Sequence, residues 1–231
     1  NNLIKAAHDH NSDKFIFLGS SCIYPKFANQ PIIEDALMTG ELEKTNEWYA
    51  LAKISGVKLC QALRKQFNKD FVSLMPTNLY GSFDNFDLKT SHVLPAMIRK
   101  FHDAKINDFS EVTLWGRGSP LREFLFVDDL ATAVMFAINN KLDDYLYNVG
   151  SGIELSIKEL AEIIKLEIGF NGNIVWDNSK PDGTPRKIMD SSKLYELGWK
   201  HKYDLVNGIK LTYQWFLKNK NNFKEVKMNN Y

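Results

Sequence analysis

Two kinds of hydrophobic pattern alternate along this chain. Residues 15–18 form a short continuous apolar run, and with the following Gly19-Ser20 they predict a parallel strand that is buried on both faces. From Glu47 to Phe67 the apolar residues recur at helical intervals instead, which predicts a long helix. The run from Asp70 to Met75 predicts the next strand. Strands that alternate with helices in this way predict an α/β fold with a parallel sheet.

The rest of the chain continues this alternation. Ser91, Ser156 and either Asp128 or Asp129 are predicted N-caps, and Glu159 would complete a capping box with Ser156. The Lys/Asn-rich end of the chain is expected to be frayed. Helices are predicted over residues 2–10, 91–104, 129–138, from 156 onward, 191–197 and 205–218, and strands over 112–115, 123–127, 145–149 and 174–176.

The composition is that of an ordinary globular protein, since 44% of the 231 residues are hydrophobic and 25% are charged. The net charge of +1 gives no reason to expect nucleic acid or a membrane surface as a partner. No apolar run approaches the ~20 residues of a membrane span. Cys22 and Cys60 are too few for a disulfide scaffold, so we expect a reducing cytoplasm, and no Cys/His spacing predicts a metal site.

A serine, a tyrosine and a lysine form a candidate set for the reduction of a carbonyl group. Tyr49 and Lys53 stand four residues apart on the predicted helix and therefore share one face. An ammonium group near a phenol favours the phenolate, so such a pair is a suitable proton donor. The same spacing also occurs in solvated surface pairs. Ser20 favours the chemical interpretation, because it follows a strand end, where ligands bind in open α/β sheets.

No glycine-rich turn of the dinucleotide-binding type follows any predicted strand. Gly116-Arg-Gly118 and Gly150-Ser-Gly152 are too short and stand in the wrong places. Two explanations compete: the chain is a truncated part of a longer protein, or it has lost its cofactor site. We favour truncation, because residues 1–10 look like the end of a helix that leads into a central strand.

Several motifs follow one another in a fixed order along nearly the whole chain. With them the chain resembles the extended short-chain dehydrogenases/reductases and, among these, the GDP-L-fucose synthase family. The motifs are Gly19-Ser-Ser-Cys-Ile-Tyr-Pro-Lys26, Thr45-Asn-Glu-Trp-Tyr-Ala-Leu-Ala-Lys53, Met75-Pro-Thr-Asn-Leu-Tyr-Gly81, Asp84-Asn-Phe86, Ser91-His-Val93, Trp115-Gly-Arg-Gly118, Arg122-Glu-Phe124, Val127-Asp-Asp129 and Lys180-Pro-Asp-Gly-Thr-Pro-Arg-Lys187.

The resemblance implies a fold. Residues 1–82 would be the remaining, C-terminal part of a Rossmann-type NADP-binding sheet, which carries the catalytic Ser, Tyr and Lys. Residues 83–231 would form mainly an interleaved, smaller substrate-binding lobe, with some segments that return to the sheet. NADPH would then be held mainly by residues upstream of this chain, so we expect residues 1–231 alone to bind it poorly.

The resemblance also implies two kinds of chemistry on one GDP-4-keto-6-deoxy-D-mannose substrate. Ser20 holds the substrate's carbonyl oxygen, Tyr49 protonates it and Lys53 holds the nicotinamide ribose. Ser20 takes this role rather than Ser21 because it stands four residues before a tyrosine, as the family pattern requires. Cys22 and His92 act as acid and base at the third and fifth carbons of the sugar, for which thiols and imidazoles are suited near neutral pH. Without the resemblance, a small buried hydrophobe is the better interpretation of Cys22, and His92 would be a helix-start residue that hydrogen-bonds a loop.

The binding residues rest on the same resemblance. In two cases the neighbouring residue is an alternative, since Arg99 precedes Lys100 and Arg186 precedes Lys187. A homodimer is expected, formed by the helix that carries Tyr49 and Lys53. The cofactor would contact Ser21, Lys53, Pro76, Thr77, Asn78, Leu79 and His92, and the GDP-sugar would contact Lys100, Trp115, Arg122, Asp182 and Lys187.

Two other functions stay open on the sequence alone. The first is another nucleotide-sugar epimerase, reductase or dehydratase. A dehydratase would normally carry an Asp-Glu pair after the serine, whereas this chain has Ser20-Ser-Cys22. The second is a non-catalytic subunit that keeps the fold without a cofactor, and a glycine motif upstream would remove its main support.

Overall fold

The computed structural model describes residues 1–180 and 182–220, which contain seven α-helices and nine strands. The Lys/Asn-rich end, for which fraying was expected, lies mostly outside this part of the chain. The helices are α1 (Asn2–Asp9), α2 (Glu47–Phe67), α3 (Val93–Ile106), α4 (Val127–Asn139), α5 (Ile157–Ile168), α6 (Ser192–Glu196) and α7 (Leu205–Asn219). The strands are β1 (Lys14–Leu18), β2 (Asp70–Pro76), β3 (Asn78–Tyr80), β4 (Glu111–Trp115), β5 (Leu121–Phe126), β6 (Leu146–Val149), β7 (Glu154–Ser156), β8 (Asn173–Asp177) and β9 (Arg186–Lys187).

The chain folds into two compact units, and it passes from one to the other five times. The first unit consists of Asn1–Leu79, Glu123–Glu154 and Arg186–Lys202. Among the described residues, the second unit consists of Tyr80–Arg122 and of residues 155–180, 182–185 and 203–220. Four of these crossings lie within or beside the short strands β3, β5, β7 and β9, which form a small sheet of their own. The binding roles assigned to residues 1–82 and 83–231 stay predictions.

The first unit is built on a parallel sheet with the strand order β1-β2-β6. Leu18 pairs with Leu74, and Pro76 at the end of β2 pairs with Val149 at the end of β6. Because the three strands are parallel, their carboxyl ends meet at one edge, which is where ligands bind in sheets of this kind. The predicted α/β fold with a parallel sheet is confirmed.

Helix α2 begins and ends where its hydrophobic pattern predicted. Its buried residues recur every three or four positions, among them Ala50, Ile54, Val57 and Cys60. Asn68 ends the helix in the left-handed conformation with φ of 53°, a position that asparagine tolerates better than most residues. One face of α2 therefore packs on the sheet, while Tyr49 and Lys53 lie on another part of its surface.

Two of the predicted helix starts are wrong. The N-cap of α3 is His92 rather than Ser91, whose hydroxyl is buried without a hydrogen-bond partner among the residues described. Helix α4 begins at Val127, so neither Asp128 nor Asp129 is its N-cap. Both carboxylates lie in its first turn, where their charge still favours the helix dipole.

The second unit contains a parallel pair, β4 and β8, together with α3, α5 and α7. The predicted capping box of α5 is confirmed: Ser156 Oγ accepts from the Glu159 backbone N–H at 3.1 Å, and Glu159 Oε2 accepts from the Ser156 N–H at 2.7 Å. None of the helices in residues 1–180 and 182–220 is long and apolar enough to cross a membrane.

Candidate active site

The first candidate residues lie on a tight turn directly after β1. Ser20 has an extended backbone and caps a single 3-10 turn, Ser21–Ile23, by accepting the Cys22 N–H with its Oγ at 3.2 Å. The turn lies close to β2, because a Cβ atom on Gly19 would collide with the Met75 side chain. Ser21 is buried, whereas Ser20 and Cys22 are partly exposed. The serine hydroxyl and the thiol therefore emerge together at the carboxyl edge of the sheet.

Lys53 connects the helix of Tyr49 to this strand end. Its Nζ donates to the Leu18 carbonyl at 2.8 Å and lies 5.7 Å from the centroid of the Tyr49 ring. It also lies 5.3 Å from the ring of Phe17, so the ammonium group stands over two aromatic faces. Tyr49 itself is 49% exposed. The structure thus brings Tyr49 and Lys53 together and leaves the phenol accessible to a ligand.

The segment after β2 is held firmly at its backbone and side chains. The Thr77 N–H donates to the Val149 carbonyl at 3.1 Å. Thr77 Oγ1 and Asn78 Nδ2 both donate to the Glu123 carbonyl, at 3.3 and 2.8 Å. Leu79 packs against a hydrophobic core cluster of the first unit. These four neighbouring positions, which begin at Pro76, are therefore fixed at the same edge of the sheet.

Lys187 lies beside the thiol of Cys22. Its Nζ is 3.5 Å from Cys22 Sγ, within hydrogen-bond distance for sulfur. The neighbouring Arg186 instead pairs with the Glu154 carboxylate, to which its Nε donates at 2.8 Å. Lys187 therefore lies beside Cys22, whereas Arg186 is engaged in an ion pair; a substrate contact at this position stays a prediction.

His92 belongs to the second unit, whereas Cys22 belongs to the first. His92 is exposed and stands at the start of α3 without a capping hydrogen bond from its side chain. Burial raises the pKa of the Asp84 carboxyl, and a hydrogen bond from the Asn85 N–H and the charge of His92 oppose this rise. The pairing of Cys22 with His92 stays a prediction.

An aromatic platform flanked by cations lies in the second unit. Trp115 is 66% exposed, and the Nζ atoms of Lys100 and Lys180 lie 5.7 and 5.8 Å from its ring. Lys100 also donates to the Thr113 carbonyl at 2.9 Å, and partial burial lowers the pKa of its ammonium group. Arg99 is engaged elsewhere, in an ion pair with the Asp103 carboxylate. The structure therefore places Lys100, and not Arg99, beside Trp115.

Asp182 is bound by an arginine that the sequence did not single out. Its Oδ1 accepts from the Arg117 backbone N–H at 2.6 Å, and its Oδ2 accepts from Arg117 Nε at 2.7 Å. These bonds hold the pKa of the Asp182 carboxyl below its usual value. Gly116 makes the approach possible, because a Cβ atom there would collide with Asp182 Oδ1. Asp182 is thus fixed beside the Trp115 loop.

Arg122 donates from Nη1 to the Leu121 carbonyl at 2.8 Å, and burial lowers the pKa of its guanidinium group.

No group of three or more His, Cys, Asp or Glu residues in the described part of the chain could hold a metal ion.

Comparison with known proteins gives the family. A sequence model of the NAD dependent epimerase/dehydratase family matches residues 1–150. The GDP-L-fucose synthase of Escherichia coli K12 is 48% identical to this chain, of which the match covers 96%, together with 72% of the relative. The chain belongs to this family, as a relative of the GDP-L-fucose synthases. GDP-L-fucose synthase 1 of Arabidopsis thaliana is 58% identical over 94% of this epimerase-family chain and 68% of its own length.

The solved structures agree with this assignment. A GDP-L-fucose synthetase from Naegleria fowleri bound to NADP superposes with a TM-score of 0.89 at 32% identity, over 96% of this chain and 71% of the other. The resemblance drawn from the motifs is therefore confirmed. The chain spans 66%, 68% and 63% of the length of three plant relatives.

Sequence reasoning missed three side chains of the candidate site, namely Glu123, Arg117 and Lys180. Only Glu123 carried a usable signal, since it is a carboxylate directly before the apolar run Phe124 to Phe126. Arg117 and Lys180 stand in polar loops, where charged residues are common.

Proposed function

We propose that this chain carries the catalytic residues of a GDP-L-fucose synthase. The reaction is the epimerisation of GDP-4-keto-6-deoxy-D-mannose at its third and fifth carbons, followed by NADPH-dependent reduction of the 4-keto group. One observation carries the proposal. The Ser20 hydroxyl and the Cys22 thiol share one turn at the end of β1, and Lys53 binds the same strand end while facing Tyr49. A thiol suited to proton transfer thus stands next to a set suited to carbonyl reduction.

In the epimerisation steps, Cys22 and His92 are the acid and base. The 4-keto group acidifies the two neighbouring carbons, so a base removes a proton from one of them and the electron pair moves onto the carbonyl oxygen. An acid then returns a proton to the opposite face of the carbon. The charged neighbour of the reacting thiol is Lys187, whose Nζ lies 3.5 Å from Cys22 Sγ.

In the reduction step, Ser20 donates a hydrogen bond to the 4-keto oxygen and Tyr49 gives that oxygen a proton. NADPH, when bound, supplies the hydride to the fourth carbon. Lys53 has the donors to hold the nicotinamide ribose while its charge faces Tyr49. Ser21 and the segment 76–79 would line the nicotinamide side, together with His92. The residues present fit the nicotinamide half of the cofactor, because Tyr49 is half-exposed beside a lysine that is itself held by the strand end.

The GDP part of the substrate fits the chemistry of the second unit. The exposed face of Trp115 can stack on a base, and the ammonium group of Lys100 beside it favours phosphate. Arg122 offers paired donors to the diphosphate. Asp182, oriented by Arg117, would accept from ribose hydroxyls through its remaining lone pairs. Lys187 was predicted to contact the substrate as well, and a position beside Cys22 is compatible with the sugar end of it.

We further propose that the protein works in the cytoplasm as a homodimer that packs α2 against its counterpart. Trp48 is 80% exposed and Leu51 is 45% exposed on this helix, next to the functional Tyr49. Sedimentation velocity of the wild type and of Trp48→Glu checks this. A dimer that becomes a monomer in the variant supports the interface, and a monomeric wild type overturns it.

The decisive experiment uses the complete reading frame that carries this chain. The protein is incubated with GDP-4-keto-6-deoxy-D-mannose and NADPH in deuterated water, and the sugar is analysed by NMR. We expect GDP-L-fucose with deuterium at the third and fifth carbons. Cys22→Ser or His92→Gln should suppress deuterium incorporation, and Tyr49→Phe should suppress reduction while exchange continues.

Cys60→Ala is the matched control, because Cys60 is buried in a core cluster of the first unit. It should retain both labelling and reduction. Exchange without reduction in the wild type would favour an epimerase that lacks its reductase half. The absence of both would contradict the proposal and favour the non-catalytic subunit.

A further inference from the structure

Glu123 is a buried carboxylate that none of the chemistry above uses. Its side chain is fully inaccessible to solvent, although a glutamate is among the residues least often buried without a charged partner. No lysine or arginine pairs with it among residues 1–180 and 182–220. Burial accordingly raises the pKa of the Glu123 carboxyl, and hydrogen bonds from backbone N–H groups oppose that rise. Burying a carboxylate in this way is costly, so its hydrogen bonds should serve a structural or functional purpose.

The carboxylate joins two loops of the first unit. Glu123 Oε1 accepts from the Gly152 N–H at 2.7 Å, and Oε2 accepts from the Met189 N–H at 3.1 Å. The Glu123 carbonyl accepts from Thr77 and Asn78, as described above. The chain leaves space for the carboxylate at Gly150, where a Cβ atom would collide with Oε1. One residue therefore fixes the loops after β2 and β6 and the segment after β9.

Met189 stands two residues after Lys187, the lysine beside the Cys22 thiol. The opposite side of this segment is held by the Gln30 side chain, whose Oε1 accepts from the Ile188 N–H at 2.9 Å. The segment is thus clamped from both sides at adjacent residues. Without the Glu123 carboxylate, the Met189 N–H would be left buried with no partner, and the segment would have to move to satisfy it.

We propose that Glu123 is a positioning residue, which sets the place of Lys187 against the Cys22 thiol through the Met189 backbone and at the same time fixes Asn78 through its own carbonyl. The catalytic meaning of this arrangement rests on the proposed function. The arrangement itself does not, so it is tested without substrate or cofactor.

Charge-selective alkylation measures how close a cation lies to a thiol. Iodoacetate is anionic and iodoacetamide is neutral. A cation beside Cys22 therefore raises the rate of alkylation by iodoacetate relative to the rate by iodoacetamide, and this quotient is the alkylation ratio. One unit charge at about 4 Å in bulk water changes such a ratio by about fivefold. Peptide-level mass spectrometry follows Cys22 separately from Cys60. We expect a high ratio in the wild type and an about fivefold lower ratio in Lys187→Met.

Glu123→Gln keeps the shape of the side chain but turns one oxygen into an N–H donor that faces another donor. We expect its ratio to fall towards that of Lys187→Met, and the double variant to match Lys187→Met alone, because both changes remove the same charge from the thiol. Glu123→Asp, which keeps the carboxylate, should restore part of the ratio. Gly150→Ala provides an independent test in a chain with an intact glutamate, since its new Cβ atom displaces the carboxylate. Arg186→Gln is the control and should keep the wild-type ratio.

A purely structural role gives a different result. Glu123→Gln and Gly150→Ala would then lower the urea midpoint while folded protein keeps the wild-type alkylation ratio, and this outcome overturns the proposal. If the ratio falls as expected but no deuterium exchange is found in the complete reading frame, the positioning role stands and the proposed reaction fails. The two failures are therefore distinguishable.

Discussion

Tyr24→Phe removes one oxygen atom from the interior of the first unit. The Tyr24 hydroxyl donates to Asn148 Oδ1 at 2.6 Å, and both side chains are buried. Asn148 cannot compensate by rotating, because its Nδ2 already donates to the Ile32 and Asp190 carbonyls at 2.9 and 3.0 Å. The variant therefore leaves a buried amide oxygen without a partner.

An unsatisfied buried acceptor of this kind costs about 1–3 kcal/mol. Since Asn148 is held on its other side, we expect a loss of unfolding free energy in the upper half of that range, about 2–3 kcal/mol. For a chain of this size each kcal/mol lowers Tm by about 2–4 °C. The expected decrease in Tm is therefore about 4–12 °C.

The assay is urea unfolding followed by circular dichroism, with calorimetry for Tm. Tyr49→Phe is the matched control, since it removes the same atom from a half-exposed ring whose hydroxyl has no hydrogen-bond partner in the described part of the chain. Its unfolding free energy should stay within about 0.5 kcal/mol of the wild type. A wild-type midpoint for Tyr24→Phe, or an equal loss in both variants, would refute the reasoning.

Three further predictions concern other groups. Burial raises the pKa of the Cys60 thiol to about 11, so at pH 8 iodoacetamide should modify Cys22 first and Cys60 only on unfolding; comparable rates in the folded protein would contradict this. Trp115→Ala should raise the Kd for GDP by roughly 5- to 150-fold in calorimetric titration, the usual cost of losing a stacked base. An unchanged Kd would exclude stacking of the base on Trp115. Burial also raises the pKa of the Glu34 carboxyl above its ordinary 4.5. The folded state therefore binds this proton more tightly than the unfolded state does. The unfolding free energy of the wild type should decrease as the pH rises from about 4.5 through the raised pKa. Glu34→Gln lacks this loss, so its urea midpoint relative to the wild type should rise over the same interval and then level off, whereas a difference independent of pH would contradict the argument.

The long elements could be predicted from the sequence because their patterns repeat. Helix α2 offers six turns of consistent spacing, and a parallel strand such as β2 is a compact apolar run. The strands β7 and β9 have only three and two residues, too few for any period to show. The predicted N-cap at Asp128 or Asp129 is wrong for a different reason. Asp129 Oδ1 accepts from the Lys202 backbone N–H, a partner 73 residues away that no local pattern reveals.

The residues of the candidate site also fall into those that local spacing could pair and those that only the fold brings together. Tyr49 and Lys53 could be paired from their spacing, because both stand on one helix. Lys187 lies 165 residues after Cys22, and only the fold shows that the two side chains meet. Arg99, which has an acid four residues further along the same helix, pairs with it, and Lys100 is the side chain that lies beside Trp115.

The two units share the chain in alternating pieces, three to each. A single proteolytic cut at any crossing therefore separates no complete unit, and neither unit corresponds to a contiguous gene fragment that could be expressed by itself. The same interleaving bears on how such proteins diverge. One recombination event between two related genes cannot exchange a whole unit, so a change of specificity has to come from substitutions in place or from several coordinated exchanges.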